Sequence, residues 1–209
     1  MDVKSVLLSC DVTDAHFQAI AEAIPEGYQA LCKLADTTPM LGQFVQGLHG
    51  LSYLRNVAVQ HALAAKAAET ELFFTSDGWN ASRNHTFLRL QVNQVVFTPH
   101  YCGKTGERAV RKAVARAALT ERNYDLFEAD GHAPDFSSEN KSAYAQIVHA
   151  GVRKPVFGAI LIPDRNQRSF KLGALSLDLQ PPKLGAVEEV QDRLNEAFKS
   201  REKEQKNVG

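Results

Sequence analysis

The residues best suited to chemistry in this chain lie in a polar loop and in the basic segment that follows it. The loop, 77–85, is rich in hydrogen-bonding side chains and contains the single Trp of the chain, Trp79, with Arg83 and Asn84 close behind it. The segment 104–122 carries six basic residues against two acidic ones, although the formal net charge of the chain is zero. A local excess of positive charge on a neutral protein indicates a specific anionic partner.

Arginine suits a phosphate partner well, because its planar guanidinium donates two parallel hydrogen bonds to phosphate oxygens. Arg89 is expected on the face of its strand opposite Leu88 and Leu90, and a Trp can stack on a nucleobase. The first hypothesis is a cytosolic nucleic-acid-associated protein, for example a bacterial regulatory or defence factor. The alternative is a solvated helix face whose charges pair with carboxylates elsewhere. The candidate nucleic-acid-binding residues are Trp79, Arg83, Asn84, Arg89, Arg108, Arg111, Lys112 and Arg116.

A second set of candidate residues lies in the acidic stretch 128–141. Asp135 and Glu139 offer the oxygen ligands that Mg²⁺ prefers, and Lys141 follows closely enough to assist an attacking water. Together they superficially resemble the PD-(D/E)xK nuclease signature. That family places the Asp and the Glu-x-Lys on separate, adjacent strands, whereas only three residues intervene here. The alternative function is a metal-dependent phosphodiesterase using Mg²⁺, and a chance match of a short motif is the competing explanation.

Two further readings of the sequence stay open. His100 and Cys102 stand two apart at a strand end, but even with His85 they supply three zinc ligands where a structural site has four. His149 shares a strand face with Ile147 and is expected to be a buried, hydrogen-bonded histidine.

The third function is a non-enzymatic subunit whose basic segment docks on an acidic protein. A homo-oligomer formed through one of the helices is compatible with each function.

Bulk composition limits the class of protein. A length of 209 residues is enough for one buried core, and 44% hydrophobic with 23% charged residues is typical of a globular domain. The chain has no run of about 18 apolar residues, which predicts that no segment spans a membrane. Three widely spaced cysteines predict reduced thiols in a cytoplasmic protein. We expect a single domain over 1–200 and a polar, frayed tail over 201–209.

The first third of the chain is predicted to be helical. Apolar residues recur at helical spacing from Phe17 to Ile24, and Pro25 and Gly27 are expected to end this helix. A short second helix should follow, and then a longer, largely buried helix that runs on toward Glu69.

The rest of the chain is predicted to be strands with two helices among them. A basic helix should begin after Gly106 within the segment 104–122, and the last helix should bury a stripe that begins at Val187. Pro99 is expected to end its strand or place it at an edge. The predicted class is α+β, with N-terminal helices packed on a mostly antiparallel sheet beside a basic and a C-terminal amphipathic helix. The predicted strands are 72–75, 86–92, 95–98, 144–149, 156–162 and 175–179.

Overall fold

The fold alternates helical and strand regions in the predicted order. The computed structural model describes residues 2–38, 41, 45–80, 82, 86–106, 110, 113–123, 142–164, 167, 170, 172–182 and 184–206. Within these residues the helices are α1 (Val3–Ser9), α2 (Asp14–Thr37), α3 (Val45–Thr70), α4 (Val114–Thr120) and α5 (Leu184–Lys206). The strands are β1 (Phe74–Trp79), β2 (Thr86–Val92), β3 (Val95–Tyr101), β4 (Ala143–Gly151), β5 (Pro155–Leu161) and β6 (Ala174–Ser176).

The six strands form one sheet in the order β1-β2-β3-β4-β5-β6. Every neighbouring pair is antiparallel except β3 and β4, which are parallel. A parallel pair needs a crossover connection, and here the crossover contains α4. The predicted α+β class with a mostly antiparallel sheet is therefore confirmed.

The main core lies between the sheet and the N-terminal helices. Helices α2 and α3 pack on each other and on one face of the sheet, and α5 packs against both of them. Ile24, Phe97 and Ile147 are fully buried in this layer, and Val187 and Leu194 bring α5 into the same core. Both residues belong to the apolar stripe that the sequence predicts for the last helix.

The N-terminal helix does not end at Pro25 and Gly27, as the sequence predicts, because α2 continues through both to Thr37. Gly27 faces the backbone of α3, where an added Cβ would lie 2.8 Å from the Cα of Val59. The absence of a side chain thus allows two helix backbones to approach closely. Tertiary packing overrides the local tendency of these residues to break a helix.

β1, β3 and β6 differ most from their predicted bounds, and β6 ends at Ser176 rather than at 179. β1 starts at Phe74 and includes Asp77 to Trp79, which were expected in the polar loop, because this stretch pairs along its whole length with β2. Pro99 lies within β3 rather than at its end. The β2–β3 ladder stops at the Leu90–Phe97 pair, so Pro99 falls where β3 has no partner on that side that needs its N–H.

The basic segment is helical over a shorter range than predicted. Among its described residues the helix covers only Val114–Thr120, followed by a 3₁₀ turn at Glu121–Asn123. Ala113 has an extended backbone, and its N–H and C=O each bond at 3.3 Å to the side-chain amide of Gln167. This pairing holds Ala113 outside the helix. At the other end of the chain, the backbone of α5 is helical to Lys206, within the segment expected to fray.

Candidate functional site

A group of polar side chains occupies the sheet face opposite α2 and α3. Leu90 and Phe97 are directly paired and face the helices, so the adjacent Arg89 and Thr98 face the other way. The β3–β4 register then places two polar residues of β4 beside them, and α4 adds a second arginine near Tyr144. We call this set the outer-face cluster; its members are Arg89, Thr98, His100, Arg116, Tyr144 and Gln146.

A chain of hydrogen bonds forms the buried floor of the outer-face cluster. The Oγ1 of Thr98 lies 2.7 Å from Nε2 of His100 and 2.8 Å from the hydroxyl of Tyr144. Gln146 donates from Nε2 to the same hydroxyl at 3.4 Å. Thr98, Tyr144 and Gln146 are almost completely buried, whereas His100 is partly exposed.

Helix α4 is fixed over this floor by a buried asparagine. Asn123 donates from Nδ2 to the carbonyl oxygens of Tyr144 at 2.9 Å and Pro163 at 2.8 Å, and its Oδ1 accepts the N–H of Tyr144 at 2.7 Å. Leu119 packs with Val96 and Tyr144 in a small apolar group. These contacts hold the turn that follows α4, and therefore hold Arg116 close to Tyr144.

Three buried atoms of the outer-face cluster have no hydrogen-bond partner among the described residues: Nε of Arg89, Nε of Arg116 and Oε1 of Gln146. In the described part of the chain, no carboxylate forms an ion pair with either arginine. Arg89 instead lies over the ring of Phe87, 5.4 Å from its centroid. Buried polar atoms in native proteins are nearly always paired, so the cluster is chemically incomplete.

The outer-face cluster contains two positively charged side chains, Arg89 and Arg116, and its other members are uncharged at pH 7. Burial, with the nearby Arg116 and His149, holds the pKa of His100 well below its ordinary value, so the imidazole is neutral at pH 7. Burial raises the pKa of Tyr144, although its hydrogen bonds and both arginines act in the opposite direction. Burial also lowers the pKa of Arg116, but a guanidinium stays protonated in proteins. An anion is the ligand that such a site attracts.

The structure brings two of the predicted nucleic-acid-binding residues together and separates a third from them. Arg89 and Arg116 both belong to the outer-face cluster, and Arg89 lies on the predicted face of β2. Trp79 is about half exposed at the end of β1. Ser76 pairs with Arg89, so alternation along β1 places Trp79 on the opposite face of the sheet. Outside the described residues lie Arg83, Asn84, Arg108, Arg111, Lys112, Asp135, Glu139 and Lys141.

The other sequence candidates have structural explanations. Burial raises the pKa of Cys102 to about 11, which disfavours the thiolate form that a zinc ligand needs. No group of three or more metal-ligating side chains occurs among the described residues. His149 is buried as predicted, bonded through Nδ1 to the Tyr28 hydroxyl at 3.1 Å and through Nε2 to Oδ1 of Asn56 at 3.3 Å.

Sequence reasoning missed Thr98, Tyr144 and Gln146 as site residues. The available signal was the alternation of polar and apolar residues in β4, Tyr144–Ala145–Gln146–Ile147, within a strand that is buried along its entire length. Polar residues on a buried strand face need partners, and a search for those partners leads to this cluster.

Comparison with known proteins finds no matching protein family, curated protein or solved structure. Functional inference therefore depends on the geometry of the outer-face cluster. Among the helices in the described ranges, none has the length and apolar character needed to cross a bilayer.

Proposed function

We propose that this protein binds the phosphate groups of nucleic acid through the outer-face cluster. The observation that carries the proposal is the pair of guanidinium groups of Arg89 and Arg116, whose buried Nε atoms have no hydrogen-bond partner among the described residues. Each unpaired buried donor costs about 1–3 kcal/mol. The two residues as a whole are partly exposed, which leaves part of each side chain accessible to a phosphate.

Phosphate fits the charge of the site as well as its hydrogen-bonding needs. Hydrogen bonds between a guanidinium and an anionic oxygen are roughly twice as strong as those between neutral groups. The buried floor beneath the arginines keeps water away, which strengthens the attraction further because the local dielectric is low. A bound phosphate would meet two cations, neither of which forms an ion pair with a carboxylate of the described residues.

A polymeric ligand is favoured by the basic residues around the cluster. Lys104 and Arg122 are exposed at the two ends of the segment that contains α4, and Arg108, Arg111 and Lys112 come between them in sequence. A row of cations along a chain of phosphates releases counterions, which is the main source of nucleic-acid affinity. Trp79 would contact a ligand only if the ligand reached the edge strand β1, since it lies on the other face.

The test is a fluorescence-anisotropy titration of labelled single-stranded oligonucleotides, across a salt series, with an Arg89→Gln/Arg116→Gln variant. We expect the dissociation constant at low salt to rise at least tenfold. The slope of log affinity against log salt should fall by about 1.4, which corresponds to about 0.7 for each lost phosphate contact on a single strand.

The matched control is an Arg153→Gln/Arg193→Gln variant, which also removes two positive charges. Arg153 pairs with Asp36 and Arg193 pairs with Glu189, both at 2.8 Å or less, and neither contacts the cluster. The control should bind as the natural protein does, apart from a small general charge effect. Equal affinity and equal salt slope in the two double variants would refute the proposal.

The other two functions remain hypotheses from the sequence. The metal-dependent phosphodiesterase depends on Asp135, Glu139 and Lys141, and including Mg²⁺ in the same assays shows whether the oligonucleotide is cut. A protein-binding subunit predicts no affinity for nucleic acid at any salt concentration. The cytoplasmic location and a homo-oligomeric state are likewise predictions from the sequence alone.

A further inference from the structure

The outer face of the β1–β2 hairpin carries two aromatic side chains beside Arg89. Ser76 pairs with Arg89, and alternation along β1 brings Phe74 to the same face. Gly78 also lies on this face, where it pairs with Phe87. We infer that the ligand is a single-stranded nucleic acid whose bases stack on Phe74 and Phe87, while Arg89 holds a phosphate between them. This inference rests on the proposed function.

The two aromatic residues are accessible to a ligand. Phe74 is 68% exposed, the highest value for a large apolar side chain in the described strands, and Phe87 is partly exposed. A single exposed apolar residue is common at protein surfaces. Two aromatic rings on either side of an arginine, on one face of a sheet, are a combination suited to bases and phosphates together.

Gly78 explains why Phe87 and Arg89 lie close together over β1. A Cβ atom at this position would be 2.5 Å from the ring of Phe87 and 2.6 Å from Nε of Arg89. The missing side chain therefore leaves room for both groups directly above the strand. The guanidinium carbon lies 5.4 Å from the ring centroid, which is within the range of a cation–π contact. This contact keeps the positive charge of Arg89 beside an aromatic surface.

The order of these side chains along the hairpin matches the chemistry of a nucleic-acid strand. Ser76, the partner of Arg89, is two residues from Phe74 and two residues from Gly78, so the arginine lies between the two aromatic positions. A nucleic-acid backbone likewise carries a phosphate between consecutive nucleosides. Both arginines of the outer-face cluster lie near Tyr144, so the positive charge continues from the hairpin toward α4.

The aromatic surface favours a single strand over a duplex. Bases in a double helix are stacked on their neighbours and paired, so their faces are not available to a protein side chain. In a single strand the bases can unstack and lie on aromatic rings, and every base has a face that can do so. The phosphates of a duplex could still contact Arg89, but without the additional contribution of stacking.

The experiment compares three labelled oligonucleotides: a single strand of mixed sequence, the same strand annealed to its complement, and an abasic strand of equal length. The abasic strand keeps the phosphates and has no bases. The natural protein should bind the single strand at least tenfold more tightly than either of the other two, because only this ligand offers both phosphates and free base faces.

Replacing Phe74 by Ala tests the stacking directly. The side chain is largely exposed, so the variant should fold, and its affinity for the single strand should fall by at least about fivefold. Its affinity for the abasic strand should stay within about twofold of the natural protein, and the salt slope should not change because no charge is removed. Phe74→Trp keeps an aromatic ring and should retain the affinity.

Two further variants test the assignment to the outer face. Trp79→Ala is the matched control, because Trp79 is a half-exposed aromatic residue of the same strand on the opposite face of the sheet. It should bind the single strand within about twofold of the natural protein. Phe87→Leu keeps an apolar group over Gly78 without an aromatic ring, and it should weaken single-strand binding as Phe74→Ala does.

Each contrary outcome has a distinct meaning. If the natural protein binds the duplex or the abasic strand as tightly as the single strand, the inference is overturned but the proposed function stands. Unchanged single-strand binding by Phe74→Ala overturns the inference in the same way. An equal loss in Trp79→Ala and Phe74→Ala also contradicts it, because the effect would not be specific to the outer face. Failure to bind all three oligonucleotides refutes the proposed function itself.

Discussion

Replacing Gly27 by Ala should destabilise the protein, although the same change usually stabilises a helix. Gly27 lies inside α2 at the point where this helix crosses α3. A Cβ atom there would be 2.8 Å from the Cα of Val59 and 2.9 Å from the carbonyl carbon and oxygen of Ala58. These are backbone atoms, which cannot rotate out of the way as the end of a long side chain can.

The size of the effect follows from these distances. Ordinary contacts to a Cβ are 3.4–4 Å, so the two helices must separate locally by several tenths of an ångström. Overpacking of this kind costs about 1–3 kcal/mol, and a rigid backbone contact belongs at the upper end. Ala gains about 1 kcal/mol over Gly in a helix interior. The net loss is about 2 kcal/mol of unfolding free energy, equivalent to a midpoint about 4–8 °C lower for a chain of this length.

The assay is urea denaturation followed by far-ultraviolet circular dichroism, with Gly50→Ala as the matched control. Gly50 lies in α3, the other helix of the pair, and a Cβ added there meets nothing within 4 Å. This control should be more stable than the natural protein by about 0.5–1 kcal/mol. If Gly27→Ala proved as stable as Gly50→Ala, the close approach of α2 and α3 would be refuted.

Two further predictions concern buried charge. Burial lowers the pKa of His149 to about 3, so below pH 6.5 the unfolded state binds a proton that the folded state does not. Because of this residue, the free energy of unfolding should fall by about 2 kcal/mol between pH 6.5 and pH 5. In urea titrations at the two pH values, the His149→Gln variant should not show this part of the decrease. Lys66 lies 2.8 Å from Glu69 and 3.6 Å from the buried Glu26. Lys66→Met should lower the free energy of unfolding by about 3–5 kcal/mol, because it leaves the buried carboxylate without its cation. Adding Glu26→Gln should restore at least half of this loss in the same measurement. If it restored none, Lys66 and Glu26 would not form an ion pair.

Much of the secondary structure is determined by local sequence. β2 has the predicted bounds, 86–92, because its apolar and polar residues alternate with a period of two. β4 starts one residue earlier and ends two residues later than predicted, and β5 starts and ends one residue earlier. These bounds are nearly correct because both apolar runs are short and end at turn residues. In such segments the apolar periodicity depends only on neighbouring residues, so the strand can be predicted without reference to the rest of the chain.

The bounds that the sequence predicted wrongly were decided by partners distant in the chain. Pro25 and Gly27 predict the end of a helix, but α2 continues because Gly27 allows α3 to approach. Asp77 and Trp79 have turn-like neighbours, but pairing with β2 makes them strand. The basic segment predicts one long helix, but the amide of Gln167 holds Ala113 extended.

In the candidate site, too, some features follow from local sequence and others depend on partners that are distant in the chain. The sequence alone determined that Arg89 lies on the face of β2 away from the core, and that Arg116 belongs to a segment rich in positive charge. Only the tertiary structure decided that both arginines lie near Tyr144. Their proximity to Tyr144 requires the parallel pairing of β3 with β4 and the crossover that carries α4. The physical reason is that contacts between elements far apart in sequence depend on the packing of the whole fold, which residue spacing does not encode.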